Sequence, residues 1–329
     1  MKKVLLAIAA VATITSCSQN EEFENPAQKA EIGFNTAAVT RATAMITDNF
    51  KEFQVYGYAH SGTFDNETEG TSLVNGYFKN DGAGWKENGG KKFYWPSSGN
   101  VTFFAYSPVP ATDNANPNAV YNTPTDGKGC PTIDYTVVDN IANQEDFLIA
   151  QLTGDGTNNK EGVSLAFKHA LTQIAFQLKG SEGSVNYDVT KLVFKGVKNS
   201  GTYNWGTSKW EVKSDATTPD YVINMSEGIT FVGEADATPL TGNDKILMLI
   251  PQTLAVNVAT IDVTYSAKQN GVILCDGKTA KTVKIPAIEW AKGQRIIYTI
   301  SLAPGEEINI SGTVDNSSWT DKEQQPEIQ

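Results

Sequence analysis

Positive charge, histidine, cysteine and helical patterning are all scarce in this chain of 329 residues. Lys and Arg number 26 against 37 Asp and Glu, a formal charge of -11. Removal of an N-terminal piece carrying Lys2 and Lys3 would lower it to about -13. A surface of that sign repels phosphate backbones and anionic headgroups, which argues against nucleic acid as a partner. There are only two histidines, His60 and His169, and three cysteines, Cys17, Cys130 and Cys275. None stands at metal-ligand spacing. There is no Gly-x-Ser-x-Gly elbow and no glycine loop followed by Lys that would cradle a phosphate. The carboxylates are scattered, with no two marked as a glycosidase pair. The reading is a protein that is not an enzyme, with no metal and no cofactor.

The residues that do invite a chemical role each have a plainer one. Asp155-x-Thr157-x-Asn159-x-Glu161 sets oxygens at alternate positions, as calcium loops do. The rest of such a motif is missing, so a solvated turn is expected. His169 is expected to be a hydrogen-bonded structural residue at a domain junction. Trp95, Trp205, Trp210, Trp290 and Trp319 have the surfaces to stack on sugars, but core and strand-edge roles are commoner. Cys130 and Cys275 either form one disulfide in an oxidising compartment or remain two unpaired thiols.

The apolar run of note is at the N-terminus. Met1-Lys2-Lys3 is basic, and Val4 to Ile14 is apolar except for Thr13. That length suits a signal peptide and is too short for a mature membrane span. It ends in Ile14-Thr15-Ser16-Cys17, which resembles the lipobox of bacterial lipoproteins. The resemblance implies cleavage between Ser16 and Cys17, a covalent lipid on the Cys17 thiol, and attachment to the outer membrane. Residues 1–16 are then the signal peptide. Ser18 to Glu24 is polar and acidic, a solvated tether, and looks like the acidic signal that sends some lipoproteins to the cell surface.

Beyond the tether the dominant period is two. Val101, Phe103 and Ala105 alternate with Thr102, Phe104 and Tyr106. Ile174, Phe176 and Leu178 alternate with Ala175, Gln177 and Lys179. Ile261, Val263 and Tyr265 behave alike, as do Ile296, Tyr298, Ile300 and Leu302. Such alternation marks half-buried strands. Ile246 to Ile250 is continuously apolar and predicts a strand covered on both faces. Asn80-Asp81-Gly82, Gly89-Gly90, Asn270-Gly271 and Asp276-Gly277 are turn sequences. Pro108, Pro110, Pro117, Pro124 and Pro131 mark a long irregular loop. The fold class is all-β, with two β-sandwich domains, 42–168 and 169–329.

Two segments have matching patterns at opposite ends. Ile32 and Phe34 alternate with polar or small residues, and Arg41-Ala42 follows among small residues, where a trypsin-like protease could cut. In the stretch 306–316, Ile308, Ile310 and Val314 share the period of two. Either segment would suit the same groove. These features, with Cys17, the stretch Phe167-Lys168-His169 leading into Leu171-Thr172-Gln173-Ile174, the run Leu247 to Gln252, and the run from Trp290-Ala291-Lys292-Gly293-Gln294 to Trp319, resemble the fimbrillin family, the type V pilins of anaerobic bacteria. The resemblance implies two tandem transthyretin-like sandwiches on a lipoprotein. It implies cleavage after Arg41 by an arginine-specific protease, so that 17–41, with lipid and first strand, is removed. Ile32 and Phe34 are then the removable strand, and Ile308, Ile310 and Val314 the candidate donor that enters a neighbouring subunit. The implied partners are other pilin subunits, in homo- or heteropolymers, and a host or bacterial surface ligand. Two alternatives stand beside this: a pilus anchor that keeps its lipid, and a surface lipoprotein that binds glycans or host protein without polymerising.

Overall fold

The structure is a computed structural model. It describes residues 30–37, 50–109, 118–124, 128–233, 236–242, 244–305 and 308–315. Cys17, Ser16, Arg41, Ala42 and Trp319 lie outside the described residues. Among the described residues there is no α-helix, and the one helical turn is a 3-10 turn at Ile141–Asn143.

The first half is organised by a six-stranded sheet. Its central strands are Glu52–His60, Asn100–Ser107 and Leu148–Gly154, with Thr71–Asn80 beyond the first. The alternation expected of a half-buried strand is present at Asn100–Ser107, but here both faces are buried. Val101, Phe103 and Ala105 enter one core, while Phe104 and Tyr106 enter another. A strand between two cores needs no polar face, so the alternation sorts one apolar set from another.

The two cores have different covers. On one face, Phe53, Val55, Phe78, Val101 and Phe103 are covered by a thin layer: the N-terminal strand Phe34–Ala37, the strand Val163–Ala166 and the segment Phe93 to Trp95. On the other face, Tyr58, Phe104 and Tyr106 look toward a four-stranded sheet. That sheet joins Ala119–Asn122 and Thr132–Thr136 to Ser200–Asn204 and Lys209–Val212. Thr132–Thr136 pairs antiparallel with Ser200–Asn204 in register Asn204↔Thr132. Hydrogen bonding therefore crosses residue 168, where sequence reading places a domain junction. The proline-rich loop also differs from expectation, since it contains the short strand Ala119–Asn122. That strand lies at the sheet edge, where neighbouring prolines leave no ladder donor missing.

The second half is a sandwich. One sheet holds Thr172–Gly180, paired parallel with Arg295–Leu302, which pairs antiparallel with Asn309–Asp315. The facing sheet holds Tyr221–Val232, Asn186–Lys195 and Thr260–Gln269. Phe176, Tyr298, Tyr187, Phe194 and Tyr265 fill the space between. The apolar run forms the strand Leu247–Leu249, buried at every residue, as expected. Asn270-Gly271 carries positive φ at both residues, 51° and 84°, the geometry of a two-residue hairpin turn. Cys130 and Cys275 are free thiols.

The separation of the two cores can be measured. Phe34→Ala and Phe103→Ala should each cost about 3–5 kcal/mol. Because their rings meet at 5.4 Å, the double variant should deviate from additivity by about 0.5–3 kcal/mol. Phe34→Ala with Phe104→Ala should add to within about 0.5 kcal/mol. Equal coupling of both pairs in urea denaturation would show that the cores are one.

Candidate functional site

The N-terminal strand occupies a slot. Successive backbone groups of an extended chain point to opposite sides. The Ile32 amide donates to the Phe93 carbonyl at 2.8 Å, and the Trp95 amide donates to the Ala30 carbonyl at 3.0 Å. The Gly33 carbonyl instead accepts from the Val163 amide at 2.8 Å, on the side where Phe34–Ala37 pairs in parallel with Val163–Ala166. The segment 30–37 is thus bonded on one side at residues 30–32 and on the other from Gly33 onward. Gly162, at φ 111°, permits this approach, since a Cβ there would come within 2.8 Å of the Asn35 side-chain Nδ2. Asn35 Nδ2 donates to the Glu161 carbonyl at 2.8 Å.

Beneath the backbone, Ile32 and Phe34 are 3% and 4% exposed. The Phe34 ring sits edge-on to Phe53, Phe78 and Phe103, with centroids at 5.8, 4.7 and 5.4 Å. Those three phenylalanines come from three neighbouring strands of the six-stranded sheet. The spacing of Ile32 and Phe34 predicts an apolar strand, and the resemblance implies that it covers a groove; the aromatic cage around Phe34 has no signature in the sequence.

The candidate donor segment is placed differently. Asn309–Asp315 is an edge strand, bonded along one side to Arg295–Leu302. Ile308, Ile310 and Val314 lie on the row that faces Leu302, Ile300 and Ile296, but their burial declines along the strand. Ile308 is 6% exposed, Ile310 half-buried and Val314 44% exposed. The three side chains share the expected period of two but are unequally buried. Gly312 lets the Tyr298 ring lie against the strand: a Cβ there would come within 2.7 Å of that ring. At the far end Arg295 Nη1 is 3.6 Å from Asp315 Oδ2.

The family-like motifs in the middle of the chain converge on one interlocked junction. His169 is buried and its Nδ1 contacts the Asp146 carboxylate. The Gly293 amide donates to the Leu171 carbonyl at 2.8 Å, and Thr172 Oγ1 donates to the Ala291 carbonyl at 3.0 Å. The Met248 amide donates to Gln144 Oε1 at 2.8 Å. Gln252 Nε2 donates to the Lys198 carbonyl at 3.0 Å, and Gln252 Oε1 accepts from the Lys198 amide at 3.1 Å. These polar side chains stitch backbone to backbone.

Asp155 and four of the tryptophans have partners within the fold. Asp155 Oδ1 accepts from the amides of Thr157 and Asn158 at 2.8 and 2.9 Å, and Oδ2 accepts from Asn158 Nδ2 at 2.7 Å. Those bonds to Asn158 and Thr157 hold its carboxyl below the usual range; its oxygens are turned into the turn itself. Trp95, Trp205 and Trp290 are buried, and Trp210 is half-buried with Nε1 donating to the Ala170 carbonyl at 2.7 Å.

Three comparisons bear on this geometry. The family model described as fimbrillin-like matches residues 40–319. The fimbrium subunit Fim1C of Phocaeicola vulgatus is 27% identical, over 97% of this chain and 97% of its own length. The crystal structure of a fimbrial protein from Bacteroides vulgatus superposes with a TM-score of 0.72 at 21% identity, covering 88% of this chain and 99% of that one. That likeness shows the fold.

His60 makes a pH dependence part of this half of the molecule. It is buried at the end of Glu52–His60, with Nε2 2.8 Å from Thr102 Oγ1. Burial lowers its pKa from the ordinary 6.5 and outweighs the backbone groups of Ser61 and Gly62, which raise it. The folded value lies below the unfolded one, so this contribution is complete above pH 6.5 and is lost as pH falls through the folded value. Denaturation midpoints should decline between about pH 7 and 5, and less steeply in His60→Gln. Identical slopes in the parent and the variant would refute that role.

Proposed function

Because the chain belongs to the fimbrillin-like family, we propose that it is a subunit of a cell-surface pilus. It is exported as a lipoprotein on Cys17, cleaved between Arg41 and Ala42 by an arginine-specific protease, and joined to its neighbours by strand exchange. The observation that carries this reading is the slot: a short segment near the N-terminus, bonded on one side at residues 30–32 and on the other from Gly33 onward, whose Ile32 and Phe34 close one face of a core.

The energetics favour exchange once the resident strand is free to leave. Ile32 and Phe34 together contribute roughly 3–6 kcal/mol of burial, at about 1.5–3 kcal/mol each. While the strand belongs to the same chain, its placement has no association cost. After cleavage it must compete as a separate molecule, and part of that advantage goes to ordering. An emptied slot leaves unpaired backbone groups on both sides and an open core, a template for an incoming strand.

The C-terminal strand is suited to leave its present place. It is bonded on one side, and Ile310 and Val314 are incompletely buried there. A slot in a neighbour with bonding groups on each side would give the open edge partners and bury both side chains. Donation from the end of one subunit to the start of another is heterologous and need not close, so it propagates as a filament. The lipid on Cys17 is then a delivery device: it holds the subunit at the outer membrane while the first strand covers the core, and it departs with that strand.

Arg41→Ala should leave unpolymerised, lipid-anchored subunits, with filaments absent by electron microscopy of sheared surface material. Normal filaments from that variant would reject the cleavage step. N-terminal sequencing of parent filaments should begin at Ala42. A blocked Cys17 terminus on filament material would instead make the protein an anchor.

A further inference from the structure

We propose that the slot selects its donor by an aromatic side chain two residues after an aliphatic one, and that the preferred donor strand therefore comes from a different polypeptide, not from a second copy of this chain. This rests on the strand-exchange reading above and specifies the partner it leaves open.

The resident strand shows what the slot accepts. Its first well holds Ile32, and its second holds a planar ring. Phe53 and Phe103 are fully buried, and Phe78 nearly so. Each is fixed on a strand paired on both sides: Phe53 on Glu52–His60, Phe103 on Asn100–Ser107, Phe78 on Thr71–Asn80. Phe53 and Phe78 stack on one another at 5.4 Å and 9°, and Trp95 packs edge-on to Phe103 at 5.8 Å and 89°. The cage therefore has no loose wall to collapse on a smaller guest. Close-packed interiors lose contacts outright when a guest is too small.

This chain's own C-terminal strand does not match that cage. Laid along the slot in the resident direction with Ile308 in the place of Ile32, it brings Ile310 to the aromatic well and Gly312 after it. Reversing the strand does not help, because residues 306–315 contain no aromatic. Trp319 follows Val314 by an odd number of residues, so in a continuous strand it projects from the opposite face. The donor that fits carries Ile, Val or Leu, one small or polar residue, then Phe or Tyr. Main-chain bonds supply affinity to any extended strand, while the side-chain wells discriminate among them.

The test uses the full chain, cut after Arg41 with an arginine-specific protease, and four synthetic peptides that compete with the freed N-terminal piece. One copies residues 30–37, Ala-Glu-Ile-Gly-Phe-Asn-Thr-Ala, and a second is the same with Phe34→Ile. A third copies residues 306–315, and the fourth is that peptide with Ile310→Phe. Release of the labelled N-terminal piece reports exchange. Each phenylalanine peptide should displace it at least about tenfold more tightly than its isoleucine counterpart. Displacement by the unaltered 306–315 peptide as strong as by its Ile310→Phe form would overturn the selectivity while leaving strand exchange intact. Entry of none of the four, the resident sequence included, would overturn the exchange reading itself, and the selectivity with it. In the uncut chain, Phe34→Ile should lower the melting temperature while Phe34→Tyr lowers it less. A reversed order would remove the cage as the cause.

Discussion

The seating of Phe34 among Phe53, Phe78 and Phe103 is the contact on which the first half of the molecule turns. The six-stranded sheet is apolar on both faces, so each face needs a cover. One cover is a whole sheet of four strands. The other is three short pieces of chain, of which the strand carrying Ile32 and Phe34 is in the middle, bonded to the other two. Its backbone ties the layer together and its side chains fill the space beneath.

The asymmetry between the two covers means that, under the proposed strand exchange, the sheet would keep one face covered while the slot is open. Phe104 and Tyr106 point away from the slot, into a core continuous with the second half. Trp205, from beyond residue 200, lies edge-on to Phe104 at 5.7 Å. The central strands are therefore held from behind by packing that the N-terminal strand does not touch. Opening the slot exposes one face of a sheet whose other face remains covered. Under the strand-exchange proposal, that backing would persist in the interval between loss of one strand and capture of another.

Much of this was legible in the chain and some was not, for identifiable reasons. Period-two alternation located Asn100–Ser107, Thr172–Gly180, Thr260–Gln269 and Arg295–Leu302, because side-chain direction in a strand is local. Asn270-Gly271 announced its hairpin through the positive φ that it permits. The spacing of Ile32 and Phe34 marked an apolar strand. The cage was invisible, because Phe53, Phe78 and Phe103 are brought together by long-range pairing that leaves no trace in spacing. The same holds for the ladder between Thr132–Thr136 and Ser200–Asn204, which crosses the expected junction near residue 168. Prolines around Ala119–Asn122 read as loop, because proline signals a missing donor and does not distinguish an edge strand from irregular chain. The unequal burial of Ile308, Ile310 and Val314 was likewise hidden, since periodicity gives the face of a strand but not the depth of the core beneath it.

That last difference bears on how the two ends of the chain relate. A matched pattern of alternation suggested that the N-terminal and C-terminal segments were interchangeable. The structure makes them unlike in two respects: the N-terminal segment is bonded on one side at residues 30–32 and on the other at residues 33–37, whereas the C-terminal strand is bonded along one side only, and the first carries Phe34 where the second has Ile310. An edge strand that covers its core incompletely is the easier of the two to withdraw, and a slot lined by three phenylalanines is the harder to fill. Giving and accepting are thus set by different physical terms, the first by how little the C-terminal strand contributes to its own sheet, the second by how closely a guest matches the aromatic well. Under the proposed strand exchange, a chain in which these terms are separate would donate readily to one neighbour while being selective about the other.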